Sequence, residues 1–505
     1  MSQLPGAPRG EREGILPAIV ALSLGLAAGI FTLPVVVGLT GSLGGAVVLG
    51  AVVVVLTTLA SRRWPIVPLE PAACSRGLTI LSAVATILAL VLLTRLTVFM
   101  IDPSKAEYSS VPASRWELEH SCLSAYFVAA RAAGRVPNVY ADSLYTSAED
   151  TGRGQRKALT IGPFKIDVYE YPPPFLLLPR ALRLVVPDFM RLRSLWFGLN
   201  CAVILLSILV AARALGRAAG TRALLLSPLV WIALPTLGTL QKGNVQAMVI
   251  ALAMLAMALF ARRSWAAGGA LLAYATVSKL YPGMLVVYLL MRRQWRALAW
   301  TAVWGVVLCL LTLIDTGPRS YTAFLDHLPG LVGGEAFPAF RNPMAMAINY
   351  SVPGLVFKLK LFGVAGMGFG VAKIVGWIYT LVVLAAILVV ARRTVREGHQ
   401  PIVWLAILTL ATLRSPFLPQ AYAAFPALVL LVLVGATFAS STRTLVAIVA
   451  TWIALCIFWP LDSPMDPRLL AVISGIPQLV TMVLPVLALR WSTRAVDAAT
   501  PGLLG

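Results

Sequence analysis

Charge is what this sequence lacks most. Charged residues make up 12% of its 505 residues and hydrophobic residues 59%, whereas a soluble domain usually carries about twice that share of charge. Crossing a bilayer takes roughly 20 consecutive apolar residues, and stretches of that kind recur from end to end. We therefore predict an all-α polytopic membrane protein with about 12–14 membrane segments, forming a single integral membrane domain over residues 1–505.

Cysteine is also scarce, and no glycine-rich nucleotide-binding loop is present. The five cysteines lie at positions 74, 122, 201, 309 and 456, without the spacing of a disulfide framework or a metal motif. We accordingly predict no bound metal and no other cofactor. The net charge of +21 comes largely from arginines that flank apolar segments, as in membrane proteins generally. Since no basic stripe with interleaved aromatic residues occurs, we expect membrane lipids and not nucleic acid as partners.

The arginine positions predict an orientation in the membrane. Arginine pairs at 62–63, 262–263 and 392–393 follow apolar segments and mark the cytoplasmic side. Both termini are then cytoplasmic, and two long segments, 101–193 and 315–370, are extracytoplasmic loops. Half of the 20 acidic residues lie in the first of these loops. We expect the protein in the plasma membrane, with its chemistry on the extracytoplasmic side.

The segment 264–296 is basic at both ends, so it crosses the membrane an even number of times. Two full-length helices do not fit in it. We predict two short helices that meet at the sequence SKLYP (278–282), where a proline interrupts the backbone. Irregular backbone at membrane depth is tolerated only against protein or a wet cavity, and an ionisable residue there, such as Lys279, is a functional candidate.

Several polar groups are predicted to meet at the outer membrane face. Lys279 lies at the tip of the broken pair, Arg414 at the tip of another helical hairpin, and the sequence QKGN (241–244) at an outer turn. Cations suit a phosphate, and a carboxylate suits removal of a hydroxyl proton. Plainer interpretations stay open for each feature, namely a lysine or arginine that reaches an interface and an ordinary polar turn.

Three motifs resemble glycosyltransferase family 87 in their order and spacing. They are YEYPPPFLLLPRAL (169–182), the QKGN turn (241–244) and the sequence KLYP (279–282). The family is part of the glycosyltransferase-C superfamily and includes actinobacterial mannosyl- and arabinofuranosyltransferases of the cell envelope. The resemblance implies a glycosyltransferase-C-like transmembrane bundle with a large first extracytoplasmic loop. It also implies a hexosyl- or pentosyltransferase that moves a sugar, mannose first, from a polyprenyl-phosphate donor to an extracytoplasmic glycan or glycolipid, with inversion.

The family pattern also implies the site residues, with two departures. Its catalytic aspartate precedes a tyrosine that matches Tyr126, but this window here holds Ser121 and Cys122. Glu119 is the nearest acid, and Asp102 and Asp167 are the alternatives. The family's Ser-Pro-x-x-x-x-His-His motif here reads RSPFLPQAY (414–422). We predict three groups of residues: catalytic, Glu119, Asp102 and His120; donor phosphate-binding, Lys279, Arg414 and Tyr281; substrate-binding, Tyr126, Tyr171, Gln241, Asn244 and Asn349.

Two other functions compete with the transferase. Broken helices at the membrane midplane are typical of transporters, so a transporter or flippase of a lipid-linked glycan is the first alternative. An inactive glycan-binding protein is the second, since the aspartate window is imperfect. The absence of a visible sequence repeat and the concentration of acids in one outer loop favour the transferase.

Overall fold

The computed structural model describes residues 9–150, 156–439 and 441–494. Eight of the helices described are long and apolar enough to cross a bilayer. They are Ile15–Thr40, Leu43–Arg63, Arg76–Ile101, Phe189–Ala214, Trp295–Thr316, Phe369–Ala391, Gln420–Phe438 and Pro467–Ser492, the last of which comprises the helices Pro467–Ile473 and Gly475–Ser492. Helix accounts for 74% of the structure. The prediction of an all-α polytopic membrane protein is confirmed.

A ninth apolar segment is bent and does not form one straight helix. It consists of Arg217–Leu226, Pro228–Trp231 and Leu234–Lys242, with a bend of 64° before the last helix. Pro228 and Pro235 stand in the first turns of the second and third of these helices, where proline needs no intrahelical hydrogen-bond partner. The prolines therefore divide a stretch that hydropathy alone presents as continuous.

Three further apolar helices correspond to predicted crossings but are shorter than a full span. They are Gln246–Ala261, Gln400–Thr412 and Thr442–Cys456. Every residue from Pro401 to Thr412 is buried in the bundle. The predicted total of 12–14 segments includes these helices and the broken pair, whereas eight or nine segments meet the length of a full crossing.

The predicted break in the segment 264–296 is confirmed. Its helices are Trp265–Ser278 and Gly283–Met291. Lys279 ends the first helix in an extended conformation (φ −144°, ψ 130°), and Pro282 directly precedes the second. Proline has no N–H to continue the hydrogen-bond ladder and clashes with the preceding turn. The chain therefore leaves helical geometry at Lys279.

The two predicted outer loops contain short elements. The helices of the first loop are Arg115–Glu119, Cys122–Ala132 and Leu177–Val185, and those of the second are Arg319–Gly333, Pro343–Ala347 and Gly354–Leu361. Single 3₁₀ turns lie at Pro71–Ala73, Ala106–Tyr108, Asp142–Leu144, Pro173–Leu176 and Pro338–Arg341. The strands are His120–Ser121, Thr146–Asp150, Arg156–Ala158, Thr160–Ile161, Phe164–Ile166, Thr394–Val395 and Thr493–Arg494.

One parallel strand pair in the first loop positions the candidate site. His120–Ser121 pairs with Phe164–Ile166, with His120 opposite Lys165 and Ser121 opposite Ile166. The hydroxyl of Ser124 strengthens this junction, since it donates to the carbonyl of Lys165 at 3.2 Å and accepts from the amide of Asp167 at 3.0 Å. Residues 45 positions apart in the sequence are thereby held side by side.

Candidate active site

Three side chains with different chemistry meet where the strand pair ends. The Nδ1 of His120 lies 3.4 Å from Oδ1 of Asp167, and its Nε2 lies 3.7 Å from the Sγ of Cys122. Cys122 opens the helix Cys122–Ala132, and Asp167 directly follows the strand Phe164–Ile166. We call these three residues the outer cluster. His120 was predicted to be catalytic and Asp167 to be an alternative base, whereas no role was predicted for Cys122.

Tyrosines and an amide from distant segments surround the outer cluster. The hydroxyl of Tyr422 lies 3.2 Å from the Sγ of Cys122. The side-chain amide of Asn244 donates to the same sulfur at 3.3 Å and to the hydroxyl of Tyr171 at 3.4 Å. Tyr171 in turn accepts a hydrogen bond of 2.9 Å from Tyr126. The structure therefore brings together three of the five predicted substrate-binding residues, Tyr126, Tyr171 and Asn244.

The other two predicted substrate-binding residues are buried hydrogen-bonding links between segments. Gln241 accepts from the amide of Ser110 at 2.7 Å and donates to the carbonyl of Glu117 at 2.7 Å. Asn349 accepts from the amide of Leu418 at 3.0 Å and donates to the carbonyl of Pro416 at 3.0 Å. Their side chains tie the QKGN turn to the first outer loop and the second loop to the RSPFLPQAY tip.

Glu119 is engaged by two cations. Its carboxylate accepts from the Nε of Arg115 at 2.5 Å and pairs with the Nζ of Lys165 at 2.7 Å. The hydrogen bond from Lys165, followed by that from Arg115, lowers the pKa of Glu119 below its ordinary value. The carboxylate is therefore ionised at neutral pH but is a weaker base than a free glutamate.

Asp102 lies at the end of the helix Arg76–Ile101, as its C-cap residue. Its carboxylate accepts from the hydroxyl of Ser104 at 2.7 Å and from the amide of the same residue at 3.0 Å. These hydrogen bonds lower the pKa of Asp102. Asp102 thus serves the local turn that follows the helix, as Asp-Pro steps commonly do.

The electrostatics of the outer cluster favour a neutral imidazole beside a basic carboxylate. Burial, helped by the charges of Lys242 and Lys165, lowers the pKa of His120 to about 3. Burial raises the pKa of Asp167 to about 7, against a hydrogen bond from the Cys122 thiol. Burial also raises the pKa of the Cys122 thiol, to about 12. At neutral pH His120 is therefore uncharged, Cys122 is a thiol and Asp167 titrates.

Lys279 lies over the ring of Tyr171. Its Nζ is 5.3 Å from the centre of the Tyr171 ring, and its charge interacts with the nearby carboxyl of Glu170. The hydroxyl of Tyr281, two residues further along the chain, is buried and has no hydrogen-bond partner. An ammonium group and an unused hydroxyl group suit an oxyanion ligand. The predicted donor site at Lys279 and Tyr281 is therefore adjacent to the predicted substrate-binding tyrosine.

Arg414 points toward a different element. Its Nε donates to the hydroxyl of Thr380 at 3.0 Å, and its guanidinium stacks 5.5 Å from the Trp377 ring. Both partners belong to the helix Phe369–Ala391. These contacts fix the hairpin tip against that helix. None of them places Arg414, the third predicted phosphate ligand, beside Lys279.

A comparison with known families bears directly on this arrangement. The model of glycosyltransferase family 87 matches residues 169–416. The match covers 248 of the 505 residues. The matched segment contains Tyr171, Asn244 and Lys279, so the predicted resemblance is confirmed where those motifs lie. No curated protein and no solved structure matches the chain. The family match and the apolar helices together indicate a multi-pass membrane glycosyltransferase.

Proposed function

We propose that this protein transfers one sugar, mannose in the first instance, from a polyprenyl-phosphate donor to a hydroxyl of an extracytoplasmic glycan or glycolipid. The carrying observation is the position of Asp167, a carboxyl with a pKa near 7 that lies beside His120 in the outer cluster. Next to this cluster, Tyr126 hydrogen-bonds to Tyr171, and the ammonium group of Lys279 lies over the Tyr171 ring. A base for an acceptor and a cation for a donor are therefore close together.

Asp167 is the base that we propose, in preference to Glu119 and Asp102. A general base works best when its pKa lies near the operating pH, and Asp167 meets this condition. Most of its side chain is covered, which raises the pKa, and the 31% that stays exposed gives an acceptor hydroxyl a path to the carboxyl group. The carboxylates of Glu119 and Asp102 have lowered pKa values and are held by their own partners. We assign His120, whose Nδ1 lies 3.4 Å from Oδ1 of Asp167, to orient this carboxyl group.

The transfer needs one base because inversion proceeds by a single displacement. The acceptor hydroxyl loses its proton to Asp167, and its oxygen forms a bond to the anomeric carbon. The bond from that carbon to the donor phosphate breaks, and its electron pair leaves with the phosphate oxygen. No covalent sugar–protein intermediate is required.

Lys279 and Tyr281 are the proposed ligands of the donor phosphate. The ammonium group stabilises the negative charge that develops on the leaving phosphate, and the unused hydroxyl of Tyr281 donates a further hydrogen bond. Tyr126, Tyr171 and Asn244 would position the sugar hydroxyls between donor and base. Arg414 would have to turn away from Trp377 to join this subsite, so we assign it a supporting part in the hairpin tip.

The direct test supplies the purified protein with radiolabelled mannosyl polyprenyl phosphate and with envelope glycolipids as acceptors. We expect label in the acceptor, with the anomeric configuration inverted when the product is examined by NMR. A nucleotide-linked mannose should give no product. Movement of an intact lipid-linked glycan across proteoliposome membranes without any transfer would instead support the transporter or flippase.

A further inference from the structure

The outer cluster contains a thiol, an imidazole and a carboxyl within one small volume. The possible ligand atoms of His120, Cys122 and Asp167 all lie within 4.8 Å of one another. The Sγ of Cys122 is 3.7 Å from the Nε2 of His120, and the Nδ1 of the same ring is 3.4 Å from Oδ1 of Asp167. In the described part of the chain, no other group of three such residues comes this close.

One of these spacings matches the edge of a small tetrahedral coordination sphere. Zinc binds sulfur at about 2.3 Å and imidazole nitrogen or carboxylate oxygen at about 2.0–2.2 Å, so neighbouring ligands of one ion are about 3.3–3.7 Å apart. The separation of 3.7 Å between Sγ and Nε2 lies in this range. The carboxyl of Asp167 lies beside the other ring nitrogen, Nδ1, so it would have to move toward the sulfur to bind the same ion.

Backbone contacts hold the segment that begins at His120 beside the segment that leads to Asp167. The strand pair that joins His120 to Lys165 sets the distance between the two chain segments, and Ser124 bonds to the amide of Asp167. Such a frame forms on folding and does not depend on an ion. A preformed frame reduces the entropic cost of binding.

The surrounding groups suit a bound thiolate. Asn244 donates to the Cys122 sulfur at 3.3 Å, and a donor of this kind stabilises a metal-bound thiolate from outside the coordination sphere. The Tyr422 hydroxyl lies 3.2 Å from the sulfur, so this hydroxyl or a water molecule would supply a fourth ligand.

We infer that His120, Cys122 and Asp167 form a binding site for a borderline-soft divalent ion, zinc above all. Thiolate and imidazole ligands favour zinc over magnesium or calcium, which prefer oxygen ligands. Binding releases the thiol proton of Cys122 to solvent. The thiolate and the Asp167 carboxylate together supply two negative charges, which balance those of the ion.

Zinc in this site would inhibit transfer. This consequence rests on the proposed function, in which Asp167 is the base, because a carboxylate that coordinates zinc cannot also accept the acceptor proton. The binding of the ion itself is independent of that assignment. The protein would therefore be active when the site is empty and inactive when zinc fills it.

The test uses Co²⁺ as a spectroscopic probe on the full-length protein after treatment with a chelator. Co²⁺ should bind one ion per chain, produce the near-ultraviolet absorption of a thiolate–cobalt bond, and be displaced by Zn²⁺. Cys122→Ser should remove that absorption, and Asp167→Asn should weaken Co²⁺ binding by at least about 10-fold. Cys201→Ser, a change at another buried cysteine, is the matched control and should leave the absorption intact.

Two outcomes would overturn the metal site: no thiolate–cobalt absorption in the parent protein, or an absorption that persists in Cys122→Ser. The transfer assay separates this result from the proposed function. If cobalt binds through Cys122 while Asp167→Asn retains turnover, the metal site stands and the base assignment fails. If Asp167→Asn loses turnover while no cobalt binds, the base stands and the metal site fails.

Discussion

The carboxylate of Glu117 and the ammonium group of Lys242 form an ion pair of 2.6 Å, with both side chains more than 90% buried. Glu117 belongs to the first outer loop and Lys242 ends the helix Leu234–Lys242. The pair therefore fastens the loop that carries the outer cluster to the transmembrane bundle. Glu117 lies three residues before His120, and Lys242 lies two residues before Asn244.

We predict that breaking this pair on one side destabilises the protein strongly. Glu117→Gln or Lys242→Met leaves a buried charge without its partner, which typically costs about 3–5 kcal/mol. The double variant E117L/K242M removes both charges and should recover most of that loss. Thermal unfolding of the detergent-solubilised protein measures these changes, and single-variant losses that simply add in the double variant would contradict the coupling.

The pH dependence of transfer follows from the raised pKa of Asp167. Below pH 7 the carboxyl is largely protonated and cannot accept a proton, and above pH 7 it is ionised. We therefore expect kcat/KM to rise with pH through a midpoint near 7. A midpoint below the ordinary glutamate value of 4.5 would instead indicate Glu119, whose pKa is lowered.

Replacing Lys279 should abolish transfer while the protein still inserts in the membrane. Lys279→Ala removes the cation beside Tyr171, so the donor phosphate loses its main counter-charge. Lys279→Arg should retain part of the activity, because the charge persists in a different geometry. Lys360→Ala, at an exposed lysine of the helix Gly354–Leu361, is the control. Unchanged donor affinity in Lys279→Ala would assign this lysine to the membrane interface instead.

The predicted orientation can be tested by cysteine labelling with a membrane-impermeant reagent. A cysteine introduced at the exposed Ser143 should react in intact cells, and one at the exposed Thr442 only after permeabilisation. Native Cys122 is an unsuitable reporter despite its place in the outer loop, because it is only 6% exposed. Labelling of the two introduced cysteines in the reverse order would invert the topology.

The sequence predicted the membrane fold and the broken helix pair because hydropathy and arginine placement are local signals. The break at Lys279–Pro282 follows from the basic ends of its segment and one proline. The neighbours of His120 could not be predicted in this way, since Asp167 reaches it through a two-residue strand pairing. Such a short pairing leaves no periodic pattern. Ser121 and Cys122 in the aspartate window were the available signal, and Cys122 proves to be in the outer cluster.

The direction of the Arg414 side chain could not be predicted from the sequence. Its place at a hairpin tip was visible in the sequence, but the direction of a long side chain depends on packing partners that sequence distance does not reveal. Here Thr380 and Trp377 hold it. A position in the chain thus predicts which helix or turn carries a group more readily than which group it contacts.

The most direct test compares Asp167→Asn, Glu119→Gln and Asp102→Asn for turnover, with donor binding measured separately on each variant. Each change keeps the side-chain shape and removes the carboxylate. Asp167→Asn should lower turnover by roughly 10²–10⁴-fold, the contribution of a general base, with donor affinity unchanged. Glu119→Gln and Asp102→Asn should retain most of their turnover. An active Asp167→Asn beside an inactive Glu119→Gln or Asp102→Asn would contradict the account and move the base to that residue.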